Sequence, residues 1–181
     1  MNIYEALKKD HQKVKGLLKQ LTSLRANTAD SDKKSDLIEQ IRDELIPHAR
    51  AEEAVFYNSL RMLDASKNLA MHGYKEHAEA ETLLRSLQAM DFLDTKWKAT
   101  AAKLQEVLEH HIREEEGPMF TAAKQLFTDV EATAMAATFE AMKPEIKEEG
   151  LMKTTLEMAA NLMPPRFSSK FRSFDITNRA R

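Results

Sequence analysis

Four helical segments of this chain each carry a histidine in the middle of an apolar stripe, and that intrusion limits what the chain can fold into. The first segment, Ile3 to Arg25, repeats apolar residues at helical spacing through Tyr4, Leu7, Val14, Leu18 and Leu21, and His11 falls within the line. The second, Ser35 to Leu63, carries Ile38, Ile41 and Leu45, then His48 and Glu52 before Val55 and Phe56. In the third, Lys67 to Met90, His77 shares a face with Ala80, Leu84 and Leu87. In the fourth, which Asp94 can cap and which runs to Thr128, His111 and Glu115 continue Leu104 and Leu108 toward Met119. Glutamate is almost never fully buried without a partner, because stripping water from a carboxylate costs several kcal/mol. One inward histidine is most simply a hydrogen-bonded core residue. Four of them on four helices, two with a glutamate one turn on, call for a cation that compensates the carboxylates and accepts imidazole nitrogen.

The spacing is specific. His48-x-x-x-Glu52 and His111-x-x-x-Glu115 are i,i+4 pairs, so each helix sends two donors to one place. The surrounding segments, His48 to Tyr57 and His111 to Phe120, match in histidine, arginine and both glutamates, and each ends in an aromatic residue. His77 to Glu81 is a third pair of this spacing. There Glu81 is placed either to follow His77 inward or to stand as an exposed charge beside Glu76 and Glu79. His72 and His110 read as solvent-facing, and Glu53 and Glu116 as exposed or supporting residues.

Strand-like alternation is missing and helix formers dominate, so the fold class is all-α. Four long helices with short links give an antiparallel up-down four-helix bundle, with Pro47 and Pro118 expected to kink the second and fourth helices. The bundle occupies residues 1–128. A helical extension follows over 129–163, read as two helices (130–142 and 149–163) separated near Pro144 and Gly150. Residues 164–181 form a basic tail with five cationic side chains against Asp175. The tail is expected to be solvated and frayed, with docking on an acidic or membrane surface through Phe167, Phe171 and Phe174 as the alternative.

Several functions are excluded or disfavoured. Cysteine is absent, which removes disulfides, thiolate zinc sites, iron–sulfur ligation and a cysteine nucleophile. A formal net charge of −2 gives no overall footprint for nucleic acid. No stretch reaches the ~18 apolar residues of a membrane span, and the first residues do not read as a signal peptide, so a cytoplasmic location is expected. The glycines are isolated, so no phosphate-binding loop is formed.

The chain resembles the hemerythrin-like, or HHE cation-binding, family. The likeness rests on Asp10-His11-x-x-Val14, His48-x-x-x-Glu52, Glu76-His77, and His110-His111-x-x-x-Glu115-Glu116, in that order over residues 1–128. The resemblance implies a bundle holding two irons bridged by oxygen and by two carboxylates. It makes His11, His48, His77 and His111 terminal ligands, with Glu52 and Glu115 bridging. One departure stands out: oxygen-carrying members have a second third-helix histidine, where this chain has Glu81 one turn after His77 and Gly73 one turn before. A coordinating Glu81 would add negative charge and favour the ferric state; a non-coordinating one would leave a position open. Simple oxygen carriage is disfavoured in both cases. Imidazole and carboxylate donors without sulfur suit iron or manganese, with zinc also open, and iron is preferred through the resemblance.

The expected function is binding of, or reaction with, a small diatomic or a peroxide (oxygen, nitric oxide or hydrogen peroxide). Sensing, scavenging, storage of oxygen and repair of damaged iron centres all fit that chemistry. The alternative is a regulatory module in which the metal site senses and the C-terminal extension docks a protein partner.

Overall fold

The periodic segments form long helices in the computed structural model, which describes residues 1–25, 30–94 and 96–149. Helix α1 spans Ile3–Ser23 and opens on a capping box: Asn2 Oδ1 accepts the Glu5 amide at 3.0 Å, and Glu5 accepts the Asn2 amide at 3.0 Å. Helix α2 spans Ser31–Glu52 and continues through a π-helical turn, Glu53–Tyr57, into the short α3, Asn58–Arg61. Helix α4 spans Lys67–Ala89. Helix α5, Trp97–Glu114, runs through a second π-helical turn, Glu115–Met119, into α6, Phe120–Leu126. Asp94 forms the turn that leads into α5, its Oδ1 accepting the Lys96 amide at 2.8 Å and its carbonyl the Trp97 amide at 3.0 Å, but it is not the cap: Lys96 holds that position, with no side-chain cap. The described residues contain no strand. None of the described helices is long and apolar enough to cross a membrane.

The four rods α1, α2–α3, α4 and α5–α6 form the bundle. Helix α1 packs on α2 and α5, while α4 packs on α5 and α2. The extension differs from its sequence reading. Asp129–Glu149 is one helix, α7, with Pro144 inside it, and α7 lies along α1 and α2. A proline breaks a helix by removing one hydrogen bond and crowding the previous turn. Here contacts on both sides of it oppose that break. Lys143 Nζ binds Asp10 Oδ2 at 2.8 Å, Lys147 Nζ binds Asp43 Oδ2 at 2.9 Å, and Ile146 is buried. The second helix expected at 149–163 and the basic tail 164–181 lie outside the described residues.

Two apolar clusters make up the core. One gathers Val14, Leu18, Leu21, Ile38, Ile41, Leu84, Leu87, Leu104 and Trp97, closed by the buried Lys34, whose ammonium sits 4.9 Å from the Trp97 ring. The other gathers Ile3, Leu7, Phe56, Tyr57, Tyr74, Phe120 and, from α7, Ala132, Ala136 and Phe139. The segment that carries His11 along α1 runs between them, with Leu7 in one cluster and Val14 in the other. The two prolines are placed differently, although the segments around them match. Pro47 precedes the first π turn and Pro118 lies within the second. In these turns the Asn58 amide reaches back five residues to the Glu53 carbonyl, and the Phe120 amide to that of Glu115. Such wide turns are concentrated at functional sites.

Phe139 tests whether α7 is part of the bundle. It is fully buried and meets the His48 ring edge-on at 5.6 Å. We expect Phe139→Ala to destabilise the protein by about 3–5 kcal/mol in urea unfolding. A loss below about 1 kcal/mol would mean that α7 rests on the bundle without supporting it.

Candidate metal centre

Each of the four inward histidines uses its two ring nitrogens differently. The Nε2 atoms face two fully buried carboxylates. His11 Nε2 is 3.2 Å from Glu115 Oε2, and His111 Nε2 is 3.6 Å from the same oxygen. His48 Nε2 and His77 Nε2 are each 3.4 Å from Glu52 Oε2. His77 Nε2 and His111 Nε2 are 3.2 Å apart. The donor atoms of Glu52, His77 and His111 all lie within 4.8 Å of one another, a grouping able to hold an ion.

The Nδ1 atoms are held from behind by four other carboxylates. His11 Nδ1 meets Glu116 Oε1 at 2.9 Å, and His48 Nδ1 meets Asp10 Oδ2 at 3.2 Å. His77 Nδ1 meets Glu53 Oε1 at 2.9 Å, and His111 Nδ1 meets Glu76 Oε2 at 3.0 Å. A carboxylate can only accept at Nδ1, so a neutral ring donates there and turns the lone pair of Nε2 inward. That is how metal-binding histidines are oriented and made more basic.

The inward atoms lack ordinary partners. Both oxygens of Glu52, both of Glu115, the Nε2 of His11 and the hydroxyl of Tyr57 are buried without a hydrogen bond. Burial and the neighbouring Glu115 charge push the Glu52 carboxyl well above its usual range. Burial also acts to raise the Glu115 carboxyl, but its contacts with Glu52 and His11 outweigh this and hold it low. The His48 and His77 imidazoles are driven down chiefly by burial, which suits neutral ligands. His11 goes the other way. Burial lowers its pKa, but Glu115 and Glu116 overcome this and lift it to about 9. Orphaned buried carboxylates facing imidazole nitrogens fit divalent or trivalent cations, which would satisfy both together.

Glu81 is the sequence candidate that the structure places differently. It is buried, neither exposed beside Glu79 nor turned to the imidazoles. Its Oε2 accepts from the buried Arg50 guanidinium, and its Oε1 from Arg85 Nη2 at 2.6 Å. Helix α4 turns the position one turn after His77 toward Arg50 of α2, and the ion pairs with Arg50 and Arg85 claim both oxygens. Arg50 also reaches Glu53 Oε1 at 3.4 Å, the oxygen that holds His77. Glu81 therefore supports the orientation of His77 through two intermediaries. His72 and His110 are exposed, as their patterns suggest.

Sequence reasoning missed several residues. The sequence leaves Glu53 and Glu116 open as exposed or supporting residues and offers Asp10 and Glu76 only as neighbours of motif histidines; only the packing brings each of the four to a histidine on another helix. Asp10 carries a second contact from Lys143 of α7. Burial acts to raise its carboxyl, but His48 and Lys143 lower it to about 2, so it is ionised throughout the neutral range. Tyr57 is buried and stacks on His77 with ring centroids 5.2 Å apart. Burial first, then the charges of Glu115 and Glu52, push its phenol well above the usual tyrosine range. Gly73 makes room for it: a Cβ there would stand 2.6 Å from the Tyr57 ring. The available signal was Gly73 itself, a helix-interior glycine one turn before an inward histidine.

The sequence signature of the hemerythrin HHE cation binding domain matches residues 2–123, and the chain belongs to that family. A solved structure with which it superposes is the hemerythrin HHE cation binding domain-containing protein from Mycobacterium kansasii, a homologue of Rv2633c. The TM-score is 0.70 at 26% identity, covering 90% of this chain and 97% of that one. A curated relative from Nostoc sp., named a DNA nickase, is 28% identical over 148 residues. Those residues are 82% of this chain but only 41% of the relative.

The elevated His11 pKa and the raised Glu52 carboxyl both give metal uptake a pH dependence of the same sign. Below about pH 9 the metal-free protein holds a proton on His11 that must leave before Nε2 can ligate. Uptake should therefore release protons, and the apparent affinity should rise as pH increases toward about 9. Competition titrations against a chelator at several pH values check this; an affinity independent of pH would contradict it.

Proposed function

We propose that this chain is a non-haem di-iron protein that binds or reacts with a small diatomic or a peroxide. The observation that carries the reading is the double use of the imidazoles, with Nδ1 held by an outer carboxylate and Nε2 turned to Glu52 and Glu115. In this reading His11, His48, His77 and His111 bind iron, and Glu52 and Glu115 bridge the two ions. Oxygen and nitrogen donors without sulfur suit iron or manganese, and family membership favours iron. When bound, the ions supply one-electron chemistry and open positions for a small ligand.

The protein's own residues then decide what that ligand meets. The two apolar clusters exclude bulk water from both ends of the site. Tyr57 presents a phenol on the His77 side, held protonated by its raised pKa. On α4 neither flanking turn adds an imidazole, since Gly73 has no side chain and Glu81 is committed to Arg50 and Arg85. Four imidazoles and an open position suit a reactive ligand better than reversible oxygen carriage. Peroxide or nitric oxide turnover is the favoured activity.

A sensing role is a second reading, and α7 favours it. The contacts Lys143 to Asp10 to His48 connect the centre with the helix that leads to the C-terminal residues. Ligand-dependent hydrogen exchange in α7 supports sensing; unchanged exchange with peroxide turnover supports the enzyme. The activity in the name of the Nostoc relative belongs to a much longer protein. We expect supercoiled plasmid to stay intact with the iron-loaded chain.

Iron analysis with an optical spectrum, before and after peroxide, tests the main reading. His48→Ala should lose iron and any peroxide turnover together. Chelation should lower the melting temperature by about 10 °C, from ~3–4 kcal/mol of metal linkage in a chain of this size. Glu52→Gln should lower the metal-free melting temperature less than the metal-loaded one, because burial and the Glu115 charge already disfavour its ionised form, and it should abolish the metal-dependent rise. A protein that takes up no iron on reconstitution, with a melting temperature indifferent to chelators, would sink the proposal.

A further inference from the structure

Glu76 is shared between the buried centre and the surface. Its Oε2 holds His111 Nδ1 at 3.0 Å, and its Oε1 faces outward. There His72 Nε2, one turn earlier on α4, stands 3.3 Å away, and His110 Nε2, from α5, stands 3.5 Å away. The three donor atoms lie within 4.8 Å of one another. Both histidine side chains are more than half exposed, while Glu76 is buried.

We propose that His72, Glu76 and His110 form a second, solvent-open site for a divalent transition ion. The spacing fits such an ion. Two ligands at about 2.1 Å from a metal, meeting at about 90–109°, are themselves about 3.0–3.4 Å apart. The two imidazole-to-carboxylate separations are already close to that range, so small side-chain rotations suffice. Two imidazoles and one carboxylate on one side of an ion leave its other positions to water, the donor set of open non-haem iron sites and also suited to zinc. The carboxylate is fixed from within by His111, and the imidazoles come from adjacent packed helices, so much of the ordering cost of binding is already met. The inner site faces the bundle axis, whereas this one opens to solvent on the α4–α5 side. A bound ion there would be separated from His111 by a single carboxylate.

The site does not depend on what fills the inner centre, and the test separates the two. Protein with its inner centre as purified is titrated with Co2+, read by its visible ligand-field bands, and with Zn2+ by calorimetry. His72→Ala and His110→Ala are compared with wild type, and the metal content of the inner centre is measured in each. These histidines are exposed, so neither substitution should impair folding, and circular dichroism with thermal melting checks that. We expect one added equivalent in wild type, loss of that equivalent in either variant, and an unchanged inner metal content. Absence of an added equivalent in wild type, or its survival in both variants, overturns the proposal. An inner centre without iron would show in the metal analysis and would itself take up added Co2+ or Zn2+; the outer site is then the equivalent that His72→Ala and His110→Ala each lose relative to wild type.

Discussion

Two carboxylates and four imidazoles meet where a four-helix bundle would ordinarily place leucines, and the rest of the structure is arranged around that cost. Glu52 and Glu115 are fully buried, with no hydrogen bond to either oxygen of either residue. Uncompensated, such charges would weaken the bundle by several kcal/mol. A ring of outer carboxylates holds the imidazoles in place, and each of the four contacts reaches from one helix to another. The site is therefore also the place where the rods are tied together: α1 to the second π turn, α2 to α1, α4 to the first π turn, and α5 to α4.

That arrangement needs backbone adjustment at two points, and the duplicated segments supply it. A regular helix continued past Glu52 or Glu115 would carry the next residues around at 100° per step. The π turns at Glu53–Tyr57 and Glu115–Met119 insert a residue. Within the first of them, Glu53 is buried against His77, and Phe56 and Tyr57 are both buried although they are adjacent in sequence. Pro118 assists at the second turn, since it lacks an amide that a regular helix would use, whereas Pro47 stands within the regular α2. Helix α7 adds another layer. Its Phe139 and Lys143 both act at His48, the first by packing on the ring and the second by holding Asp10. The hemerythrin-like bundle is thus supported from outside by residues beyond the stretch that defines the family.

Much of this could be read from the sequence because it depends on contacts within single helices. The burial of His11, His48, His77 and His111 follows from their place in apolar stripes, and the pairing of His48 with Glu52 and of His111 with Glu115 follows from the 3.6-residue repeat. Glu81 shows where such reasoning stops. Periodicity placed it near the inner face, but whether it met an imidazole or an arginine depended on α2, and Arg50 took it. Pro144 shows the same limit for backbone, since contacts to Asp10 and Asp43 flank a residue that reads as a break.

What the amino-acid order determined by itself was therefore the helices, their inward faces and the donors that share a face, because these are fixed by local geometry and by the exclusion of apolar side chains from water. What only the tertiary structure decided was which carboxylate stands behind which ring, how Tyr57 fills the space left at Gly73, and how Glu76 divides its oxygens between His111 and the surface histidines. Those pairings depend on the rotation and register of one helix against its neighbour. Packing sets these across the whole bundle, and no single segment encodes them.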